Sequence, residues 1–181
     1  YPQGSIDFYE ILPEAVGGNI MLGKNILSSR ASTDTSYSPT ANIIIGNDAM
    51  SESKSGASIA IGYSAMSNSD SSSDIAIGSN ALKVSEGSQN IAIGTGSFDE
   101  LESGSNNIGI GNQVGRNFSG GSKNIGIGYK AFGSSYEKAN TVTNTTFNTG
   151  VGYGSSHGLV GINNSSFGRE SGKNTLGDKN T

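Results

Sequence analysis

The chain has 181 residues, no Cys, no Trp, 28 Gly, 33% hydrophobic residues and a net charge of -4. Without cysteine there is no disulfide or thiolate-metal scaffold, and mild acidity without a Lys/Arg cluster leaves no electrostatic footprint for nucleic acid or an anionic membrane surface. So few apolar side chains cannot offset the entropy of ordering a self-contained globular core, yet 14% charged residues and three Pro do not make a disordered chain either.

What remains is a repeat structure, whose thin core is completed by neighbouring coils or by other copies of the chain. Residues 1–16, with Tyr1, Phe8, Tyr9, Ile11 and Leu12 but no repeat, read as a cap leading into the first coil. The start at Tyr1-Pro2-Gln3 lacks the charged, apolar pattern of a signal sequence. No stretch approaches the roughly 20 apolar residues that span a bilayer, so no membrane insertion is expected.

Residues 17–177 carry one motif many times. Its first copy is Asn19-Ile20-Met21-Leu22-Gly23, followed by Ile26-Leu27, after which a polar excess over 28–40 reads as an inserted loop. The regular run follows as Asn42-Ile43-Ile44-Ile45-Gly46, Ser58-Ile59-Ala60-Ile61-Gly62, Asp74-Ile75-Ala76-Ile77-Gly78 and Asn90-Ile91-Ala92-Ile93-Gly94. It continues as Asn107-Ile108-Gly109-Ile110-Gly111 and Asn124-Ile125-Gly126-Ile127-Gly128. The final glycines keep a period of sixteen from Gly46 to Gly94 and of seventeen from Gly94 to Gly128, which sets the size of the coil. A second anchor sits at a fixed offset, in Ala49-Met50, Ala65-Met66, Ala81-Leu82, Ser97-Phe98 and Ala131-Phe132, with Val114 in the corresponding place of the fifth copy.

In Ile-x-Ile the two isoleucines project to one face of a strand and the small residue between them to the other. The expectation is that the isoleucines stack into buried ladders, that the glycine permits a sharp bend, and that the Ala-hydrophobic pair supplies a second wall. The Asn or Asp before the first Ile is expected to stack as well and to satisfy turn backbone groups. Ser/Asn/Gly stretches such as 51–57, 68–73 and 103–106 read as turns, leaving no room for helices of useful length.

A second inserted loop, over 134–147, precedes Thr149-Gly150-Val151-Gly152. The pattern then loosens through Gly158-Leu159-Val160-Gly161 and Ser166-Phe167-Gly168 to Asn174-Thr175-Leu176-Gly177, and 178–181 reads as the start of a continuing chain. The fold class expected is all-β, a β-solenoid or β-roll of 16–17-residue coils; nine or so of them, at about 4.8 Å per layer, make a rod roughly 40 Å long.

These tandem Asn-Ile-Ala-Ile-Gly-x-x-Ala units, over roughly Asn19 to Gly177, resemble the repeats of phage tail fibres and the left-handed β-roll heads of trimeric autotransporter adhesins. The resemblance implies a parallel homotrimeric fibre with the aliphatic strand of each coil facing the threefold axis. The longer, Asn/Ser-rich spacing looks more like the phage form, and the adhesin neck motif is not evident. What this implies is a structural and receptor-binding segment of a trimeric tail fibre, carried on a virion and used in host-cell attachment. Its partners would be a host cell-surface glycan or outer-membrane protein and other fibre or baseplate proteins. The alternative is a bacterial trimeric autotransporter surface adhesin; a polysaccharide depolymerase tailspike is less favoured.

No residue set points to catalysis, a cofactor or a metal. His157 is the only histidine, so neither a metal set nor a triad can be assembled around it. Asp70 with Asp74, and the cluster Asp99, Glu100 and Glu102, are the paired carboxylates a glycosidase would need, but they read as solvated turn residues. Gly109 to Gly111 and Gly126 to Gly128 lie inside repeat strands, without the helix and Lys of a phosphate loop. Exposed aromatics can stack on sugars or anchor protein contacts. Tyr37 and Tyr136, in or beside the inserted loops, are therefore the candidate receptor contacts, while Tyr63, Tyr129 and Lys130 are expected to line the outside of the rod.

Overall fold

The computed structural model describes residues 18–27, 40–133, 145–174 and 176–179. Among these the chain is all-β with no helix. Twelve short strands follow in order: β1 (Ile20–Leu22), β2 (Ile43–Ile45), β3 (Ile59–Ile61), β4 (Asn68–Ser69), β5 (Ile75–Ile77) and β6 (Val84–Ser85). Then come β7 (Ile91–Ile93), β8 (Glu100–Leu101), β9 (Ile108–Ile110), β10 (Ile125–Ile127), β11 (Thr149–Val151) and β12 (Ser165–Phe167).

The motif strands form one nine-stranded sheet in the order β1-β2-β3-β5-β7-β9-β10-β11-β12, and β4-β6-β8 form a smaller second sheet. All pairings are parallel, with like positions in register: Ile59 beside Ile75, Ile91, Ile108 and Ile125 in successive layers. Parallel strands joined by one whole turn of chain are a β-solenoid. The register survives the lengthening of the later coils because the added residue lies in the turn segment before the Asn, outside the strands.

Two physical constraints hold the repeat glycine in place. Gly46, Gly62, Gly78, Gly94, Gly111 and Gly128 all take φ between +126° and +138°, a region closed to residues with a Cβ. A Cβ at Gly94 would also lie 2.2 Å from the Gly111 carbonyl oxygen in the next layer.

Three further left-handed corners recur in each coil, two and four residues after that glycine and just before the motif Asn. Asn80, Leu82 and Gln89, at φ 57°, 45° and 64°, are one such set. Backbone bonds to the adjacent layer offset their local cost, as in Met66 N–H to Ala81 O at 3.0 Å and Leu82 N–H to Ser97 O at 3.0 Å.

The facing of the strands differs from the expectation. The middle residue points into the coil: Ile44, Ala60, Ala76 and Ala92 are fully buried, while the flanking isoleucines stay partly exposed, 36% for Ile43 and 39% for Ile110. The core is instead built from the second anchors, Leu27, Met50, Met66, Leu82, Phe98 and Phe132, with Leu101, Val114 and Phe118. The reason is thickness. The two walls of so short a coil lie close together, so along most of the rod only one carries a large side chain inward; Ile44, buried in one core with Leu27 and Met50, is the exception.

Size compensation along the rod makes this visible. From Met50 onward, where the second anchor is Met or Leu, the next layer's strand has Ala60, Ala76 or Ala92 in its middle, and where it is Phe98, the strand has Gly109; after Leu27 the strand keeps Ile44. A Cβ on Gly109 would lie 2.6 Å from Phe98 Cε2, and one on Gly115 would lie 2.2 Å from Phe98 Cδ1. Phe98, Phe118 and Phe132 then form an internal aromatic run, with centroids 5.9 and 6.3 Å apart.

The loosened end also keeps the pattern. Asn164-Ser165-Ser166-Phe167-Gly168 is a full copy, pairing Thr149 with Ser165 and Val151 with Phe167, and an isolated bridge joins Val160 to Leu176.

Candidate functional site

The outer surface offers two distinct faces. On the first, side-chain alternation sends the two flanking residues of each motif strand outward, Ile20 and Leu22 in β1 and two isoleucines in every strand from β2 to β10 of the large sheet, and in-register stacking lines them up layer upon layer. Ile43, Ile45, Ile125 and Ile127 keep 36–38% of their surface. Scattered apolar residues on a surface are ordinary, but a continuous apolar stripe marks an interaction surface. The stripe runs on through Val151 to Phe167, which is 68% exposed.

At the edge of that face the residues before each strand form a buried polar ladder, as the sequence suggested. Asn107, Asn124, Asn148 and Asn164 each give their backbone N–H and side-chain Nδ2 to the Oδ1 of the Asn one layer earlier, at 2.8–3.1 Å. Their Nδ2 groups also reach turn carbonyls, such as Gly121 O at 2.8 Å. Stacking therefore satisfies groups that would be costly to bury unpaired.

Asp74 stands in this ladder and corrects the expectation of a solvated turn carboxylate. It is buried, accepts from Asn90 N–H at 2.6 Å and from Ser71 Oγ, and burial pushes its pKa up to about 6. It does not pair with Asp70, which is exposed and 3.6 Å from Lys54. Ser53, Ser55, Ser69 and Ser71 continue the buried hydroxyl network from there.

The second face is the turn that follows the repeat glycine. Along it, Asn80, Gly96 and Gln113 hold one position in successive layers, and Lys83, Asp99 and Arg116 hold another. Because Gly96 has no side chain between Asn80 and Gln113, the rank has a gap, which opens a groove of about 320 Å³. Lys83, Thr95, Asp99, Glu100 and Arg116 line it. Asp99 Oδ1 is closed off from solvent and has no hydrogen-bond partner. Burial, and then the neighbouring Glu100, raise the Asp99 pKa, with Arg116 pulling the other way. Neither Lys83 nor Arg116 makes an ion pair among the described residues. Sequence reading named Asp99 and Glu100 but not Lys83, Gly96 or Arg116, because only stacking brings residues a whole coil apart into one groove.

Other singled-out residues fall as follows. Tyr37 and Tyr136 lie outside the described residues. Tyr63 and Tyr129 are exposed on the outside, as expected, and Tyr129 stacks on Tyr153 at 5.2 Å with Lys130 5.1 Å from its ring centroid. Arg169 lies 5.4 Å from the Tyr153 ring centroid. His157 is half-buried. Its Nδ1 lacks a partner, and burial, then Lys173 and Lys130, lower its pKa. Glu102 is exposed beside the groove strand β8. The expected loops over 28–40 and 134–147 lie for the most part outside the described residues, which stop at Leu27 and at Gly133, just past the equivalent anchor Phe132, and resume at Thr40 and Thr145.

Among the described residues no group of His, Asp or Glu is placed to hold a metal ion, and no helix is long and apolar enough to cross a membrane. Comparison with family models, with curated proteins and with solved structures finds no match.

Proposed function

We propose that this chain is a structural and receptor-binding segment of a homotrimeric phage tail fibre, without catalytic activity of its own, that holds and presents contacts for host-cell attachment. The observation that carries the reading is the outward isoleucine stripe. A coil that turns its largest aliphatic residues away from its own core gains their burial only against another surface. Identical chains laid side by side supply one at every layer, because each stripe has the same spacing. The resemblance of the repeats to tail-fibre sequences supports the same arrangement.

The test is the solution mass of the whole chain. Light scattering is expected to give three times the single-chain mass of 18.4 kDa. Ile77→Lys with Ile93→Lys, which leaves the interior untouched, is expected to lower it toward the single-chain value with the β-type circular dichroism kept. A native chain that runs as a folded 18.4 kDa species overturns the fibre reading. Attachment is read separately, by adsorption of the labelled trimer to a panel of bacteria. A membrane-anchor barrel in the flanking sequence assigns the chain instead to a bacterial surface adhesin.

A further inference from the structure

We infer that Phe167 is the register lock between copies of this chain: its ring seats on Ser165 of the neighbouring copy and fixes which layer of one chain meets which layer of the next. This rests on the trimer reading above and adds to it what aligns the copies along the axis.

The need for a lock comes from the stripe itself. The outward residues of the large sheet stand in two rows, the first position of each strand (Ile43, Ile59, Ile75) and the third (Ile45, Ile61, Ile77), and from β2 to β10 both rows are isoleucine throughout. A threefold rotation brings the third-position row of one chain against the first-position row of the next, a contact that closes on itself after three copies. Sliding one chain along the axis by a layer, about 4.8 Å, puts isoleucine on isoleucine again everywhere except at the ends. Identical layers therefore leave the alignment weakly specified, and neither row holds a charged residue that could specify it.

Two observations put the specification at β12. The first is a change of size in opposite directions. In the first row isoleucine gives way to Thr149 and then to Ser165, while the third row passes from Ile127 through Val151 to Phe167, with the strands still in register. The layer with the largest outward residue is thus also the layer with the smallest, and the threefold rotation sets those two against each other. Inside the coil the same compensation governs Phe98 and Gly109, where the wall facing the ring gives up its side chain. With one chain slipped by a layer, its Phe167 would crowd Thr149 of one neighbour and its Ser165 would leave a void against Val151 of the other, and packing penalises both.

The second observation is where the apolar surface widens. Off the stripe, the exposed Phe and large aliphatic residues among the described ones are Phe147, Val160, Ile162 and Leu176, and all lie beside or beyond β11. Ile162 takes the place that Ser122 and Thr146 hold in the preceding layers. Phe147 and Ile162 precede the first-row residues Thr149 and Ser165 in the chain by two and three positions. They border the side on which the neighbouring copy's Phe167 arrives, and they give its ring apolar surroundings that the earlier layers lack.

Disulfide mapping of the assembled full chain tests this, since the native sequence has no Cys. Chains carrying Ile91→Cys are co-assembled with chains carrying Ile93→Cys, which meet in register, or with chains carrying Ile77→Cys, one layer away, which meet only after a slip. In the otherwise native background the first pair is expected to link and the second to stay unlinked. Phe167→Ala removes only an outward side chain, so the β-type circular dichroism and the trimer mass are expected to stay. Linking of the slipped pair is expected to rise roughly tenfold, the population shift from losing one well-packed aromatic contact. Ser165→Phe together with Phe167→Ser moves the ring to the other row and is expected to return the slipped pair to its native level. A slipped pair that stays unlinked in Phe167→Ala, that links already in the native background, or that persists when the two residues are exchanged overturns the lock and leaves the trimer standing. If neither pair links and the mass is that of one chain, the trimer reading falls and the lock with it.

Discussion

Replacing Gly109 by Ala adds one methyl group at a position where Ala already stands in three other layers, at Ala60, Ala76 and Ala92. On chain-entropy grounds alone the change would stabilise the fold by about 0.4–1 kcal/mol, because Gly109 does not take a positive φ. Packing opposes this. The new Cβ would lie 2.6 Å from Phe98 Cε2, 3.0 Å from Phe98 Cδ2 and 2.8 Å from Ser97 Oγ. The Phe98 ring has little room to retreat, since it already passes under Gly115 and packs against Phe118 at 5.9 Å. Overpacking of this kind costs about 1–3 kcal/mol, so Gly109→Ala is expected to be net destabilising, by about 1–2 kcal/mol.

The compensating change follows from the preceding layer, where Leu82 packs under Ala92. Phe98→Leu alone leaves a cavity and should cost about 1 kcal/mol or more. Combined with Gly109→Ala it recreates the Leu/Ala pair, and the double variant is expected to be more stable than the sum of the singles by about 1–2 kcal/mol. Urea unfolding of the four proteins at one concentration, followed by circular dichroism, gives the cycle. A stabilised Gly109→Ala protein, or a double variant that merely adds the two losses, refutes the idea that wall separation dictates residue size along the rod.

Three further outcomes follow from the same geometry. Asp74 has its carboxyl pKa raised from 3.8 to about 6 by burial, so folding favours its protonated form. That stabilising contribution is full below about pH 4 and lost as pH rises through about 6. Asp74→Asn, which restores the residue found through most of the ladder, is expected to raise the unfolding free energy measured in urea at pH 7.5 by up to about 2–3 kcal/mol, and to remove the step between pH 4 and 6. Gly94→Ala drives a Cβ to 2.2 Å from the Gly111 carbonyl oxygen at φ +129°; loss of more than about 3 kcal/mol is expected, visible as a chain that fails to fold or melts far below the parent. Ala57→Gly relieves an exposed left-handed corner at φ 55° and should gain about 0.5–1 kcal/mol, read as a small rise in melting temperature.

Much of the fold was legible because a solenoid repeats its local rules. Evenly spaced glycines, each ending an Ile-x-Ile strand, gave the strand positions, the coil length and the parallel stacking, and the Asn before each strand gave the polar ladder. The candidate site was less legible. Asp99 and Glu100 stood out as carboxylates, but Lys83 and Arg116 each lie one full coil from Asp99, and nothing local ties them to it. Asp74 looked like any polar turn residue because its identity breaks the ladder only by an oxygen in place of an amide. The left-handed corners at Leu82 and Phe98 were invisible for a different reason: residues of that type rarely take positive φ, and only the hydrogen bonds of the adjoining layers hold them there.

The sequence by itself determined the period, the all-β class and the bends, since these follow from alternation along a strand and from the conformational reach of glycine. Which side of each strand faces inward was decided by tertiary structure alone. Alternation says that the isoleucines and the small residue oppose each other, and it is silent on which set is enclosed. The closeness of the two walls settles that: along most of the rod the second anchor leaves room opposite it only for Ala or Gly, Ile44 being the exception, so the flanking isoleucines turn outward and become a surface that needs a partner.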